Sequence, residues 1–148
     1  MAMNFARQTA IVGIGATEFS KNSGRTPMQL ATECSLAACE DAGILPSQIN
    51  GISIFSAEKN SEIEVARNLG IPELTFFSMI HHGGGAPGGV IQQAAMAVHS
   101  GVADYVLVYR AFNERSWHRF GEGVQGRHQS PEAFDVSFSW SSPFGLLT

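Results

Sequence analysis

Charged side chains are scarce in this sequence. They make up 15% of its 148 residues, and their balance is slightly acidic, −4 with histidine neutral. Such a balance offers nucleic acid or an anionic membrane no electrostatic attraction, so neither is expected as a partner. Cysteine is nearly absent. Cys34 and Cys39 are too few for a disulfide framework, and five positions apart on one expected helix they point to different sides. They read as two small buried hydrophobes. No second Cys/His pair stands at ligand spacing, so no metal site is expected. No apolar run approaches the roughly 18 residues of a membrane helix. The opening stretch, Met1 to Gly13, holds one arginine and no long apolar core, so a secretory leader is not expected. Nothing resembles a lipid-anchor motif, and a cytoplasmic location is the expectation. Nucleotide loops are missing too. There is no Gly-x4-Gly-Lys-Ser/Thr, and Gly13-Ile14-Gly15-Ala16-Thr17-Glu18 has Glu18 where a dinucleotide fingerprint needs its third glycine.

Hydrophobic residues are plentiful at 44%, enough for one core in a chain of this length. Glycine is also abundant, with 16 residues. Gly83, Gly84, Gly85, Gly88 and Gly89 crowd into one short stretch, where function is best sought.

Up to about residue 110, strand-like and helix-like segments alternate. Thr9 to Ile14 is almost wholly apolar and reads as a first, buried strand. Thr26 is a fitting N-cap with Pro27 at the first helical position, and Gly43 closes that helix. Pro46 to Gln48 reads as a turn and Ile49 to Phe55 as a second strand. Ser61 and Glu64 have the spacing of a capping box, opening a short helix that Gly70 stops. Leu74 to Ser78 is a third strand, Val90 to His99 a helix, and Asp104 to Tyr109 a fourth strand. This order predicts an α/β layered fold with a mainly parallel sheet. Residues 1–110 form the expected domain. Residues 111–148 are Arg-rich and poorly periodic, an expected excursion or cap, and the apolar ending Pro143 to Thr148 reads as a chain cut in mid-fold.

The helix after the glycines is apolar on nearly every side, which predicts an interior position with layers on both sides. Its first N–H groups lack intrahelical partners. Glycines leave room for a ligand atom beside the backbone, and the dipole is positive there. Gly84 and Gly85 are therefore candidates for an oxyanion-type site built from backbone N–H groups. The alternative is a tight turn that packs a strand on a helix. His81 and His82 either pack and cap, or present a polar group at the mouth of that site.

In this order of elements, three stretches resemble the thiolase superfamily: Ile11 to Phe19, Val98 to Val108 after the glycine-led helix, and Ser142 to Thr148. The likeness is greatest to the thiolase-like lipid-transfer protein branch, related to sterol carrier protein x thiolase. It implies a layered α-β-α fold of which this chain is the N-terminal half, a mixed sheet with a buried central helix, plus the start of the loop domain. A true thiolase places its nucleophilic cysteine at the head of that helix. Counting back from Gly101 puts the position at Gly84, so the covalent acyl-enzyme step is expected to be unavailable. Cysteine-less branches include aldolases that cleave β-hydroxyacyl-CoA in steroid side-chain degradation. They act with a small partner bearing an OB-fold and a zinc ribbon.

The resemblance therefore implies a retro-aldol lyase using a coenzyme A thioester as substrate and no other cofactor. Gly84, Gly85 and His82 are the catalytic candidates; Met79, His81, Arg115 and Arg119 are the substrate-binding ones. Acid/base groups are expected from a missing C-terminal half or a second polypeptide. The strand Leu74–Ser78 is expected to pair across a two-fold axis in a homodimer, or else to be a covered edge. The Arg-rich segment, Arg110 to His128, is expected to meet CoA phosphates or a neighbouring subunit, or else to be a solvated loop or to make intrachain ion pairs. Two other functions stay open: acyl transfer with a cysteine from the missing half, and a non-catalytic acyl-CoA or lipid binder or scaffold subunit.

Overall fold

A computed structural model describes residues 7–56, 58–81 and 85–113 of the chain. The structure contains helix α1 (Pro27–Ala42), a 3-10 turn at Pro46–Gln48, strand β1 (Gly51–Phe55) and helix α2 (Glu62–Leu69). Strand β2 (Phe76–Ile80), helix α3 (Ala86–His99) and strand β3 (Val106–Val108) follow. These elements fall within one compact unit that ends at Phe112. The sheet order is β2-β1-β3, with β1 parallel to both neighbours. The expected division at residue 110 concerns a second part that lies outside the described residues, apart from 111–113.

Local chemistry sets α1. The Thr26 hydroxyl accepts from the Gln29 amide at 3.2 Å, and the Gln29 side chain accepts from the Thr26 amide at 2.8 Å. Pro27 loses nothing in the first turn, where its missing N–H has no partner to seek. Gly43 ends the helix at φ 67°, a left-handed conformation that glycine takes without penalty. The salt links of Arg25 to Glu18 and Glu33 tie the preceding loop to this helix.

Alternation along the strands divides the interior into two layers. Ile52 and Ile54 of β1, with Leu107 of β3, meet Leu30, Ala31 and Cys39 of α1 and Val65, Ala66 and Leu69 of α2. On the other sheet face, Phe55 and Ile80 meet Ala86 and Val90 of α3. Ser53 and Ser78 share a 2.7 Å hydroxyl contact across β1 and β2. The result is an α-β-α sandwich, as the order of elements implied.

Several expected boundaries move. Thr9–Ile14 is not a strand: it has no ladder partner among the described residues and runs beside α1, with Ile11, Val12 and Ile14 exposed. Gly13 and Gly15 press so closely on that helix that a β-carbon would overlap the carbonyl oxygens of Ala38 and Cys34. The second and fourth strands start later than expected because Asn50 is a bracket. Its side-chain oxygen accepts from the amides of Asp104 and Tyr105, and its amide donates to Asp104 at 3.0 Å. The third strand is Phe76–Ile80, not Leu74–Ser78. Thr75 turns its hydroxyl to the carbonyl oxygens of Val102 and Asn50, which makes it an entry turn. Ser61 precedes α2 without capping it through its side chain; Glu62 and Glu64 meet the positive end of the dipole instead.

The helix expected from Val90 begins at Ala86. Pro87 suits a first turn, and Gly88 and Gly89 adopt helical geometry. The sheet covers one side of α3, burying Ala86, Val90 and Ala97. The expectation of layers on both sides is met on that side only; Ile91 and Gln92 remain exposed, since no described element lies over them.

Candidate active site

The carboxyl ends of β1 and β2 and the leading end of α3 converge on one small apolar cluster of Phe55, Ile80, Ala86 and Val90. In α/β sheets this end of the strands is where ligands gather. Gly89 makes the approach of α3 to β2 possible: a β-carbon there would stand 3.1 Å from Cγ2 of Ile80. Gly85 and Gly88 differ, because a β-carbon on either would meet nothing within 4 Å. Among the described residues, space is therefore open beside the leading turn.

Gly85 is the N-cap of α3, at φ −82° and ψ −15°, and no side chain caps it. Its φ is negative, so the need for a left-handed turn does not explain this glycine. The leading amides are free of side-chain partners among the described residues, and they sit at the positive end of a 14-residue helix. An oxygen that gains negative charge in front of them would be stabilised.

The candidates named from sequence fare differently. Gly85 stands at this end, as expected. Met79 and His81 lie at the end of β2 and just beyond it; Met79 points to the sheet face away from α3, opposite Ile54, and both are exposed. The α3 face at this strand end belongs to Ile80, so Met79 is not brought to the cluster. His82, Gly84, Arg115 and Arg119 lie outside the described residues. No group of three or more His, Cys, Asp or Glu that could hold a metal occurs among the described residues.

Sequence reasoning passed over Phe55 as a site residue and took Arg110 only as the first residue of the Arg-rich segment. The Arg110 guanidinium carbon lies 5.0 Å from the ring centre of Phe55 and 4.4 Å from that of Phe112. Phe55 in turn touches the start of α3. Position was the available signal: each residue closes or follows a parallel strand at its carboxyl end.

A separate polar knot flanks the site. Glu58 accepts from the amides of Lys59 and Asn60 and from the Asn60 side chain through one oxygen, and from the Ala111 amide through the other. It fastens the loop after β1 to the chain leaving β3. Burial pushes the thiols of Cys34 and Cys39 above their ordinary values, so neither is an activated nucleophile.

No family model matches the chain. It is 57% identical over 139 residues to the steroid side-chain-cleaving aldolase of Thermomonospora curvata, covering 94% of this chain and 36% of that protein. It is 54% identical over 141 residues to the 17-hydroxy-3-oxo-4-pregnene-20-carboxyl-CoA lyase of Mycobacterium tuberculosis, covering 95% and 36%. The chain thus spans about a third of the length of these curated relatives. Among solved structures, it superposes on an Ltp2-ChsH2(DUF35) aldolase with a TM-score of 0.76 and 54% identity, over 94% of this chain and 34% of that one. A monomeric SCP2-thiolase-like protein type 1 from Mycobacterium smegmatis gives 0.55 at 26% identity, over 66% and 22%. A priming β-ketosynthase of the R1128 polyketide pathway gives 0.50 at 23%, over 58% and 27%. The parallel sheet, the glycine-led α3 laid across it and these superpositions together establish that the chain has a thiolase-like fold.

Proposed function

We propose that this chain is the N-terminal part of a thiolase-like lyase that cleaves a β-hydroxyacyl-CoA of steroid side-chain type by a retro-aldol reaction. The observation that carries this reading is the identity of more than half the residues, along nearly the whole chain, to two proteins named for such cleavage. The second name itself describes a β-hydroxyacyl thioester. Its hydroxyl is on carbon 17 and its carboxyl on the adjoining carbon 20.

The chemistry needs a base, an acid and an electron sink, but no nucleophile. A base takes the hydroxyl proton, and the oxygen forms a carbonyl as the bond between the α- and β-carbons breaks. The bonding pair moves toward the thioester, giving an enolate. A proton then returns to the α-carbon. The amides leading α3, which no described side chain caps, are suited to hold the enolate oxygen, and glycine at position 84 in place of cysteine offers no nucleophile for a covalent route. The acid/base groups come from sequence beyond these residues, as the one-third coverage of the relatives supports. A small OB-fold and zinc-ribbon protein is the proposed partner; the description of the solved aldolase names two components, Ltp2 and ChsH2. A second copy of the chain is proposed to pair along the outer edge of β2, which no described strand covers.

The test is turnover of a steroid 17-hydroxy-20-carboxyl-CoA by the complete enzyme, with and without its partner, followed by mass spectrometry. Release of the 17-ketone and a shortened acyl-CoA is expected. Tight binding without turnover in both conditions would overturn the lyase in favour of a binding or scaffold subunit.

A further inference from the structure

We propose that the Asn50-Gly51 pair is a modification site, a deamidation site that the fold keeps closed by bracing Asn50 against Asp104, and whose reaction loosens β3 from β1. The step is intramolecular. The Gly51 nitrogen, giving its proton to hydroxide, bonds to Cγ of Asn50; the Cγ–Nδ2 bond breaks and ammonia leaves. Water then opens the cyclic imide at either carbonyl. One opening gives aspartate; the other gives isoaspartate, with the backbone rerouted through Cγ. Asparagine before glycine is especially open to this attack, since no β-carbon shields the incoming nitrogen.

Packing explains why so labile a pair stands here. A β-carbon on Gly51 would come within 2.8 Å of Cγ2 of Val106 and 3.2 Å of Cβ of Ala103. Gly51 pairs with Phe76 on one side and Val106 on the other, so a larger residue would force the three strands apart where they start. Asn50 answers a different need. Its Oδ1 accepts from the amides of Asp104 at 2.8 Å and Tyr105 at 3.3 Å, while Nδ2 donates to Oδ2 of Asp104 at 3.0 Å. A short side chain with an acceptor and a donor on one carbon meets both demands. Aspartate would set its second oxygen against the Asp104 carboxylate.

The same contacts hold the reaction off. Attack needs the Gly51 nitrogen to swing toward Cγ, which turns the peptide between the two residues. That peptide is gripped on both edges. Its N–H donates to the carbonyl oxygen of Tyr105 at 3.1 Å, and its C=O accepts from the amides of Thr75 at 2.8 Å and Phe76 at 3.3 Å. The leaving nitrogen is itself engaged by Asp104. Deamidation therefore proceeds through local opening of the strand starts. The product favours the open form. Aspartate exchanges a donor for a charge facing Asp104, and isoaspartate adds a backbone carbon ahead of Gly51, which upsets its register with Val106.

The complete enzyme should be held in mildly alkaline buffer while peptide mapping by mass spectrometry follows residue 50, with isoaspartyl methyltransferase labelling as a second readout. The folded wild type should react at least about tenfold more slowly than the same protein in denaturing guanidinium chloride, and sub-denaturing guanidinium should raise the folded rate. Asp104→Ala removes the acceptor of Nδ2 and should speed the folded reaction about tenfold. Asp104→Asn keeps an oxygen that can accept and should stay near the wild-type rate. Equal rates in folded and unfolded wild type overturn the proposal, as does a folded rate indifferent to Asp104→Ala. If that variant does not fold, the denaturant dependence decides: a wild-type rate that sub-denaturing guanidinium leaves unchanged overturns it. Asn50→Asp tests the consequence. Amide hydrogens of Val106–Val108 should exchange faster than in the wild type, and unaltered exchange overturns the loosening of β3.

Discussion

The hydroxyl of Tyr109 donates to the carbonyl oxygen of Asn60 across 3.2 Å, with the tyrosine buried in the α1-side core. This bond joins the end of β3 to the loop after β1, the same two segments that Glu58 binds together. Tyr109→Phe keeps the ring and removes the bond. It should lower unfolding free energy by about 1 kcal/mol at neutral pH, read from urea midpoints.

The same tyrosine predicts an alkaline limb. Burial first, then the nearby carboxylates of Glu58 and Glu62, raise its pKa well above the ordinary value of 10.0. A raised folded pKa means that the unfolded chain releases its proton first as pH rises. The stabilisation is complete below pH 10.0 and is lost as pH climbs from there toward the folded value. Burial of Cys34 and Cys39 adds a loss that starts near their ordinary 9.0. Stability should be flat on these accounts from pH 7 to about 9 and fall above it. Tyr109→Phe should flatten the part above about 10, and an unaltered slope there would contradict the assignment.

Gly15 crosses α1 against the carbonyl oxygen of Cys34, where a β-carbon has no room. The obstacle is helix backbone, which cannot swing aside like a side chain. Gly15→Ala should destabilise by about 1–3 kcal/mol. Gly24→Ala is a useful contrast. Its β-carbon would meet nothing within 4 Å, so any loss there reports only the φ of 66°. If both variants melt alike, packing on α1 is not what Gly15 provides.

Stability and activity should part company at Gly88. Its β-carbon would meet no described atom within 4 Å in the first turn of α3. Gly88→Ala should therefore strengthen the helix by roughly 0.5–1 kcal/mol, since alanine has less backbone freedom to lose. If a thioester oxygen uses the space beside these amides, the same methyl should lower kcat/KM of the complete enzyme by about tenfold or more. A variant that is both more stable and fully active would remove the leading turn of α3 from the mechanism.

These cases mark how far the sequence alone can be read. The ends of α1 were legible because Thr26, Pro27 and Gly43 act within one or two turns of their own positions. The start of α3 was misjudged by four residues, since consecutive glycines signal a loop when read locally. Here Gly89 lies within the helix, and its missing β-carbon lets α3 come close to Ile80, a strand residue distant in sequence. Thr9–Ile14 has the composition of a strand, but a strand exists only through a neighbour, and composition cannot name one. At the site, the glycine-led helix end was visible in the sequence. The stack of Arg110 on Phe55 was not, because parallel pairing of β1 with β3 brings those residues together.

The outer edge of β2 tests the proposed pairing of two copies. Phe77 is exposed on this strand, whose hydrogen-bonding edge away from β1 meets no described strand. Ile91 adds exposed apolar surface on α3. Residues 1–148 expressed alone should therefore self-associate, because unpaired strand edges and exposed apolar patches favour it. Phe77→Lys puts a charge beside that edge, the means by which natural sheets resist edge pairing. It should shift light scattering toward the monomer, whereas Ile91→Lys should reduce aggregation without dissolving a discrete dimer. A wild-type chain that is monomeric at tens of micromolar would show that neither surface drives assembly. A dimer that persists in Phe77→Lys would move the interface away from β2.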